Sequence, residues 1–369
     1  MNIIYIIKDA SIRRGSSSVQ KLVKGEKITD FAHSYFFFKS NLIKTLKLQH
    51  EFLWKMEFHI SEFCRSEVLK QGKNRTSTVV NFNEGAVRLV PTMSEDSCYI
   101  HASRINLPYG NFIIAQGPTQ TSLIDFFRML WQYRIPLVVC LDSLTNQDTC
   151  YRYFSTKRQQ AVKASDRITI ETTGIMETTV PNLFIYEAVI TNTEIKSGSN
   201  HRIIHIVHYD KWEGENTISP QVLVKIITIM KTMSDKFDQK SIVVHGSNGI
   251  KRSVVYVLTS VLMQQITKFR RLSVLSAPIA VCKRRYGALR SVDDYRLVLQ
   301  SALCFAKQCE LITDMKKYEN AMEVSIYSRS KFVKMENYHP RLDSRSYIRI
   351  CTTDIGGKEC EQTMTNCVI

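Results

Sequence analysis

The sequence predicts a mixed α/β protein, and three observations carry that prediction. Runs rich in branched residues, with the character of strands, alternate along the chain with amphipathic stretches of helical period. One segment, "SIVVHGSNGIKRSVV" from Ser241, reads as strand, tight loop and helix in direct succession. The chain has 369 residues and 44% apolar content, enough to bury one large core with appendages.

Taken in chain order, the first helical pattern is "LIKTLKLQHEFLWKMEF", Leu42 to Phe58, and the second is "SLIDFFRMLWQ" from Ser122, whose Phe126, Phe127 and Trp131 read as core packing. Four strand-like runs follow: "IPLVVCL" from Ile135, "RITIETT" from Arg167, "LFIYEAVIT" from Leu183 and "RIIHIVHY" from Arg202. Helical spacing returns in "PQVLVKIITIMKTM" from Pro220, in the run after Arg252, and in "SVDDYRLVLQSALCFAKQ" from Ser291. No internal repeat is visible. Three parts are expected: a basic N-terminal extension over 1–44, a folded domain over 45–312 and a polar C-terminal tail over 313–369.

The segment from Ser241 has the chemistry of an anion site. Successive main-chain N–H groups can curl round an oxyanion, the dipole of the following helix adds partial positive charge, and a guanidinium forks onto two oxygens. Gly249 permits the curl and Arg252 supplies the fork; Ser247, Asn248, Ile250 and Lys251 complete the candidate phosphate-binding loop.

At these residues the chain resembles the protein tyrosine phosphatases of the classical type. His245, Gly249, Arg252 and Ser253 match an active-site loop reading His-Cys-x-x-Gly-x-x-Arg-Ser/Thr. The likeness continues through "KNRTSTVVNF" from Lys73, "CYIHASRI" from Cys98, "FIIAQGPTQTSLIDFFRMLWQYRIPLVVCL" from Phe112, with Gln116, Gly117 and Pro118 its sharpest part, "CYRYFS" from Cys150 and "HYDKWEGENTISP" from His208. Several ordered motifs are far more specific than any one. The resemblance implies a tyrosine phosphatase-like fold, a central twisted mixed sheet flanked by helices.

The departures fall where the resemblance puts the chemistry. The nucleophilic cysteine is replaced by Gly246, and without a thiolate there is no attack on phosphorus and no phosphocysteine intermediate. Ser247 is the nearest hydroxyl, one position along the loop. The family's mobile loop reads Trp-Pro-Asp, its aspartic acid protonating the leaving oxygen; here Trp212 is followed by Glu213 and Gly214. Asp210, Glu213 and Glu215 are the carboxyls within sequence reach of that task, the alternative being a solvated acidic loop. Thr76 and Thr78 stand where a tyrosine stacks on the substrate ring and an aspartate holds its backbone. Arg290 and Asp294 stand at the two positions of the glutamine loop. Arg252 alone of the main groups remains, either for phosphate or as a structural tie to neighbouring carbonyls.

Composition bounds the setting. "MNIIYII" is too short for a signal h-region and no apolar run approaches ~20 residues, so a soluble cytoplasmic protein is expected. Ten cysteines lie without Cys-x-x-Cys or other metal-type spacing, which argues for reduced thiols and against structural zinc; no metal and no cofactor is expected. Cys367 is third from the end, one place off a prenylation box. A net charge of +16 favours phosphorylated protein, nucleic acid and anionic lipid alike, the alternative being a solvated basic face with no dedicated partner; the partner expected is a phosphorylated or acidic protein. Nucleic acid is disfavoured because the densest basic cluster, "CKRRYG" from Cys282, lacks interleaved aromatics.

Three functions compete on these grounds. The first and preferred is an inactive phosphatase-like protein that binds phosphorylated or anionic partners; the others are an interaction scaffold with a vestigial site and a residual phosphatase of low activity. The loss of the cysteine also resembles the tyrosine phosphatase-like proteins of bracoviruses, which implies an infected host cell and interference with host immune signalling.

Overall fold

The computed structural model describes residues 26–27, 72–76, 81, 85–107, 110–196, 198–212, 218–237, 241–285, 287–289 and 291–322. The expected helix at Leu42 to Phe58 lies outside the described residues. Clustering divides the chain into two units, 1–323 and 324–369, and the second lies wholly outside them.

Nine strands form one mixed sheet: β2 (Ala86–Arg88), β3 (Tyr99–Leu107), β4 (Gly110–Gln116), β5 (Leu137–Cys140), β6 (Gln160–Lys163), β7 (Ile168–Glu177), β8 (Leu183–Asn192), β9 (His201–Tyr209) and β10 (Ser241–Gly246). Their order is β2-β3-β4-β10-β5-β9-β8-β7-β6. The four central strands, β4, β10, β5 and β9, run parallel, and each flank continues antiparallel. Burial follows the pairing. β5 reads "LVVC" with every residue buried, as a strand covered on both faces requires, while β8 alternates buried and half-buried positions. A separate pair joins β1 (Glu26–Lys27) to β11 (Arg271–Leu272).

The helices are α1 (Leu123–Gln132), α2 (Pro220–Ser234), α3 (Arg252–Phe269), α4 (Ser276–Cys282), α5 (Val292–Gln308) and α6 (Met315–Met322). Helix α1 packs Phe126, Phe127, Met129 and Leu130 into one core cluster with Val138 and Cys140 of β5 and Val243 of β10. Each such phenylalanine contributes about 1.5–3 kcal/mol by leaving water. Local chemistry sets the starts of the next helices. Ser219 Oγ accepts from Val222 N with Pro220 in the first turn of α2, and Ser291 Oγ accepts from Asp293 N ahead of α5.

Six strands and two helices lie outside the runs read from the sequence pattern: β1, β2, β3, β4, β6 and β11, and α4 and α6. β3 and β4 form the antiparallel flank, and β3 hides behind buried polar residues, His101 and Ser103. Helix α4 is seven residues long and contains Pro278, too short for a periodic signal. The fold leaves the end of β10, one of the four central strands, leading through a short loop into α3.

Candidate anion-binding site

The loop 247–251 leaves the carboxyl end of β10, between parallel β4 and β5, and enters α3 at Arg252. In open α/β sheets this is where ligands bind. Its conformation follows from what pulls on its carbonyls. Gly246 O accepts from Gly117 N at 2.7 Å. Ser247 O accepts from the same N–H at 3.1 Å and from Arg75 Nη1 at 2.7 Å. Asn248 O accepts from Arg285 Nη2 at 3.0 Å, Gly249 O from Arg285 Nε at 2.9 Å, and Ile250 O from Leu289 N at 3.4 Å. Five consecutive carbonyls are thus held from outside the loop. Among the described residues no protein group accepts from the main-chain N–H groups of Ser247 to Arg252. Unpaired amides at the start of an 18-residue helix are the material of an anion cradle.

Gly249 is required by this arrangement. Its φ is +65°, and a Cβ there would stand 2.4 Å from Ala115 O and 2.6 Å from Arg285 Nη2. Gly246 is different. Its backbone is not left-handed, and an added Cβ would meet only Arg252 Cβ at 3.8 Å and Leu141 O at 4.0 Å, so a side chain fits at the nucleophile position.

Two guanidinium groups brace the loop from beneath. Arg285 is fully buried and bonds Asn81 Oδ1, His101 Nδ1 and Ser103 Oγ besides the two loop carbonyls. Burial pulls its pKa down to about 10. Arg75 bonds the carbonyls of Asp148, Gly117, Pro118 and Ser247, and its main-chain N–H is fixed by Gln116 Oε1 at 2.9 Å. Among the described residues neither has a carboxylate within ion-pair distance, although Asp142 and Asp148 offset part of the Arg75 charge from farther away. "CKRRYG" is therefore not a uniform surface patch, because its second arginine is this buried brace.

Arg252 has a partner already. Its Nη1 donates to Leu141 O at 2.6 Å and to Asp142 Oδ1 at 2.9 Å, with side chains 11% and 3% exposed. The other carboxylate oxygen of Asp142 is buried with no hydrogen-bond partner among the described residues. The guanidinium expected to fork onto phosphate is tied to a neighbouring carbonyl, the alternative raised for it, and is also paired with an internal carboxylate that was not anticipated.

The remaining expected residues distribute as follows. His245 is fully buried, Nε2 2.8 Å from Tyr153 Oη. Ser253 is buried in the first turn of α3, its hydroxyl without a partner among the described residues. Lys251 is exposed. Thr76 is half-buried and its Oγ1 has no partner among the described residues; Trp212 is buried. Asp294, in the first turn of α5, is raised to about 6 by burial and by Asp293, against the opposing charge of Lys251. Thr78, Glu213, Gly214, Glu215 and Arg290 lie outside the described residues. Asp210 is half-buried beside Lys211. Nothing in the sequence marks Arg75 or Arg285 as braces, because basic residues beside other basic and polar residues carry no signal of burial.

Comparison with known proteins agrees with the geometry. The sequence pattern of the family "Protein-tyrosine phosphatase" matches residues 70–304. "Tyrosine-protein phosphatase non-receptor type 5" of Rattus norvegicus is 24% identical over 250 residues, 65% of this chain and 64% of the relative. "Probable tyrosine phosphatase protein N1" of Microplitis demolitor bracovirus is 27% identical over 243 residues, 62% of this chain and 74% of the relative. "Tyrosine phosphatase-like protein H1" of the same virus is 22% identical over 294 residues, 76% and 84% of the two chains. The match spans less than two thirds of the length of the rat relative.

Proposed function

The chain belongs to the protein-tyrosine phosphatase family, and from that premise we propose that it is a phosphatase-like binding protein, holding a phosphorylated or otherwise anionic partner at the loop 247–252 without hydrolysing it. The observation that carries this reading is the pairing of an outwardly tethered cradle with Gly246. The amides and two bracing cations needed to hold an oxyanion are kept, and the position that would supply a thiolate has no side chain. An anionic thiolate repels a phosphate dianion, so its loss weakens turnover more than affinity. Binding of this kind would sequester phosphorylated residues and interfere with phosphotyrosine signalling. The likeness to bracovirus proteins supports an infected host cell's cytoplasm as the setting and host immune signalling as the process. Among the described residues no helix is long and apolar enough to cross a membrane.

A specific observation favours the second reading, a scaffold with a vestigial site: the Arg252–Asp142 ion pair competes with any ligand for the fork. Two measurements separate the readings. Phosphotyrosine peptide and aryl phosphate are expected to show no turnover, in the wild type and also in Gly246→Cys, which fits sterically but restores only one lost group. Calorimetry with phosphate and phosphopeptide is expected to show weak binding that Arg252→Ala reduces at least tenfold, about 1.4 kcal/mol. Turnover abolished by a loop mutation would overturn the absence of catalysis; binding indifferent to Arg252→Ala would favour the scaffold.

A further inference from the structure

Three soft donor groups converge behind the anion loop, and chain order does not bring them together. Cys140 ends β5 and His245 is the second-last residue of β10. These strands run parallel and the two residues are register partners, so their side chains leave the sheet on one face. Cys150 arrives from the loop after β5, seated against Gly117, where an added Cβ would stand 3.3 Å from its Sγ. The two sulfurs and a ring nitrogen of His245 all lie within 4.8 Å of one another, and all three residues are 0% exposed.

We infer that Cys140, Cys150 and His245 form a zinc-binding site that anchors the entry of the loop. Zn–S bonds of about 2.3 Å and Zn–N bonds of about 2.0–2.1 Å set ligand atoms about 3.6–3.8 Å apart in a tetrahedral site, so these atoms, which supply three of its four corners, need close by only about 1 Å. Charge selects the ion. Two thiolates and a neutral imidazole balance a divalent cation, leaving no net charge in a dry interior, whereas a monovalent ion would leave one negative charge uncompensated. Softness selects it again, since sulfur and imidazole donors favour zinc over magnesium or calcium. The Tyr153 hydroxyl, 2.8 Å from His245 Nε2, is an outer partner of the kind that fixes the orientation of a ligating histidine. Cys140 Sγ also lies 3.5 Å from Asp142 O and Cys150 Sγ 3.7 Å from Tyr151 O, and the two thiols are within hydrogen-bond reach of each other, Cys140 of His245 and Tyr153 as well. His245 directly precedes Gly246, so an ion held here would fix the residue that leads into the cradle.

A buried site is loaded as the chain folds, so the test uses full-length protein expressed in zinc-supplied cells and purified without chelator. One zinc per chain is expected by mass spectrometry, and refolding in Co2+ is expected to give thiolate-to-cobalt charge-transfer absorption. Both should be lost in Cys140→Ser and Cys150→Ser and kept in Cys309→Ser, a cysteine outside the cluster. Should the cluster variants misfold, the wild-type protein still decides. Absence of both stoichiometric zinc and the charge-transfer band overturns the site, and so does a disulfide joining Cys140 and Cys150 in non-reduced protein.

Discussion

Arg252 donates to Leu141 O and Asp142 Oδ1 from a position 11% exposed, so an incoming phosphate must either share that guanidinium or displace the carboxylate. Asp142 is poorly served by the pairing, because its second oxygen is buried and has no hydrogen-bond partner among the described residues. Replacing it by asparagine keeps the shape and one acceptor while removing the competing charge. Asp142→Asn is therefore expected to raise phosphate affinity about tenfold, since a charge-assisted bond contributes about 1.5–3 kcal/mol and part of it is now spent internally. Calorimetry at fixed salt measures this, and an unchanged affinity would mean that the pair does not gate the site. A single acidic residue 110 positions upstream of its arginine leaves no periodic or spacing signature, which is why this contact was invisible before the fold was known.

Between residue and whole molecule, the loop behaves as a unit because its carbonyls are pulled outward by Arg75, Arg285 and Gly117. The sequence showed the need for a glycine at 249 and an arginine at 252, since loop chemistry is local. The braces were not legible, because Arg75 and Arg285 reach the loop from 172 and 36–37 residues away. Gly249→Ala is expected to cost about 2–4 kcal/mol, left-handed strain plus the clash with Ala115 O, read as a lower denaturant midpoint with the slope unchanged. Helix α5 offers a pH-dependent counterpart. Asp294 titrates at about 6 in the folded protein, above the ordinary aspartate value, so the folded state takes up a proton that the unfolded state releases. Its burial penalty is full above that pKa and fades as pH falls toward about 4. Asp294→Asn is expected to stabilise the protein by up to about 3 kcal/mol at pH 8 and by nothing near pH 4. Equal effects at both pH values in denaturant unfolding would show that ionisation is not the cause.

At the scale of the molecule, ordered motifs across most of the chain revealed the family, and branched runs revealed β5, β7, β8, β9 and β10, because covered strands are written in apolar residues. What stayed hidden was made of polar residues turned inward: His101 and Ser103 on β3, Arg285 beneath the loop, and the Cys140, Cys150 and His245 cluster, whose members never approach in sequence as metal ligands usually do. Net charge is a third kind of property, belonging to no element. A chain at +16 attracts any polyanion, so capture of an acidic peptide at low salt would not by itself implicate the cradle. Screening separates the two. The Debye length falls from about 10 Å at 0.1 M to about 3 Å at 1 M, which removes diffuse surface attraction but spares contacts at hydrogen-bond distance in a partly buried loop. Phosphopeptide binding is expected to fall with salt to a floor that remains at 1 M. Arg252→Ala should lower that floor while leaving the salt-sensitive part intact, and an unphosphorylated acidic peptide should show the salt-sensitive part alone. Parallel loss of both components for the phosphopeptide would assign its binding to the charged surface and leave the loop without a ligand.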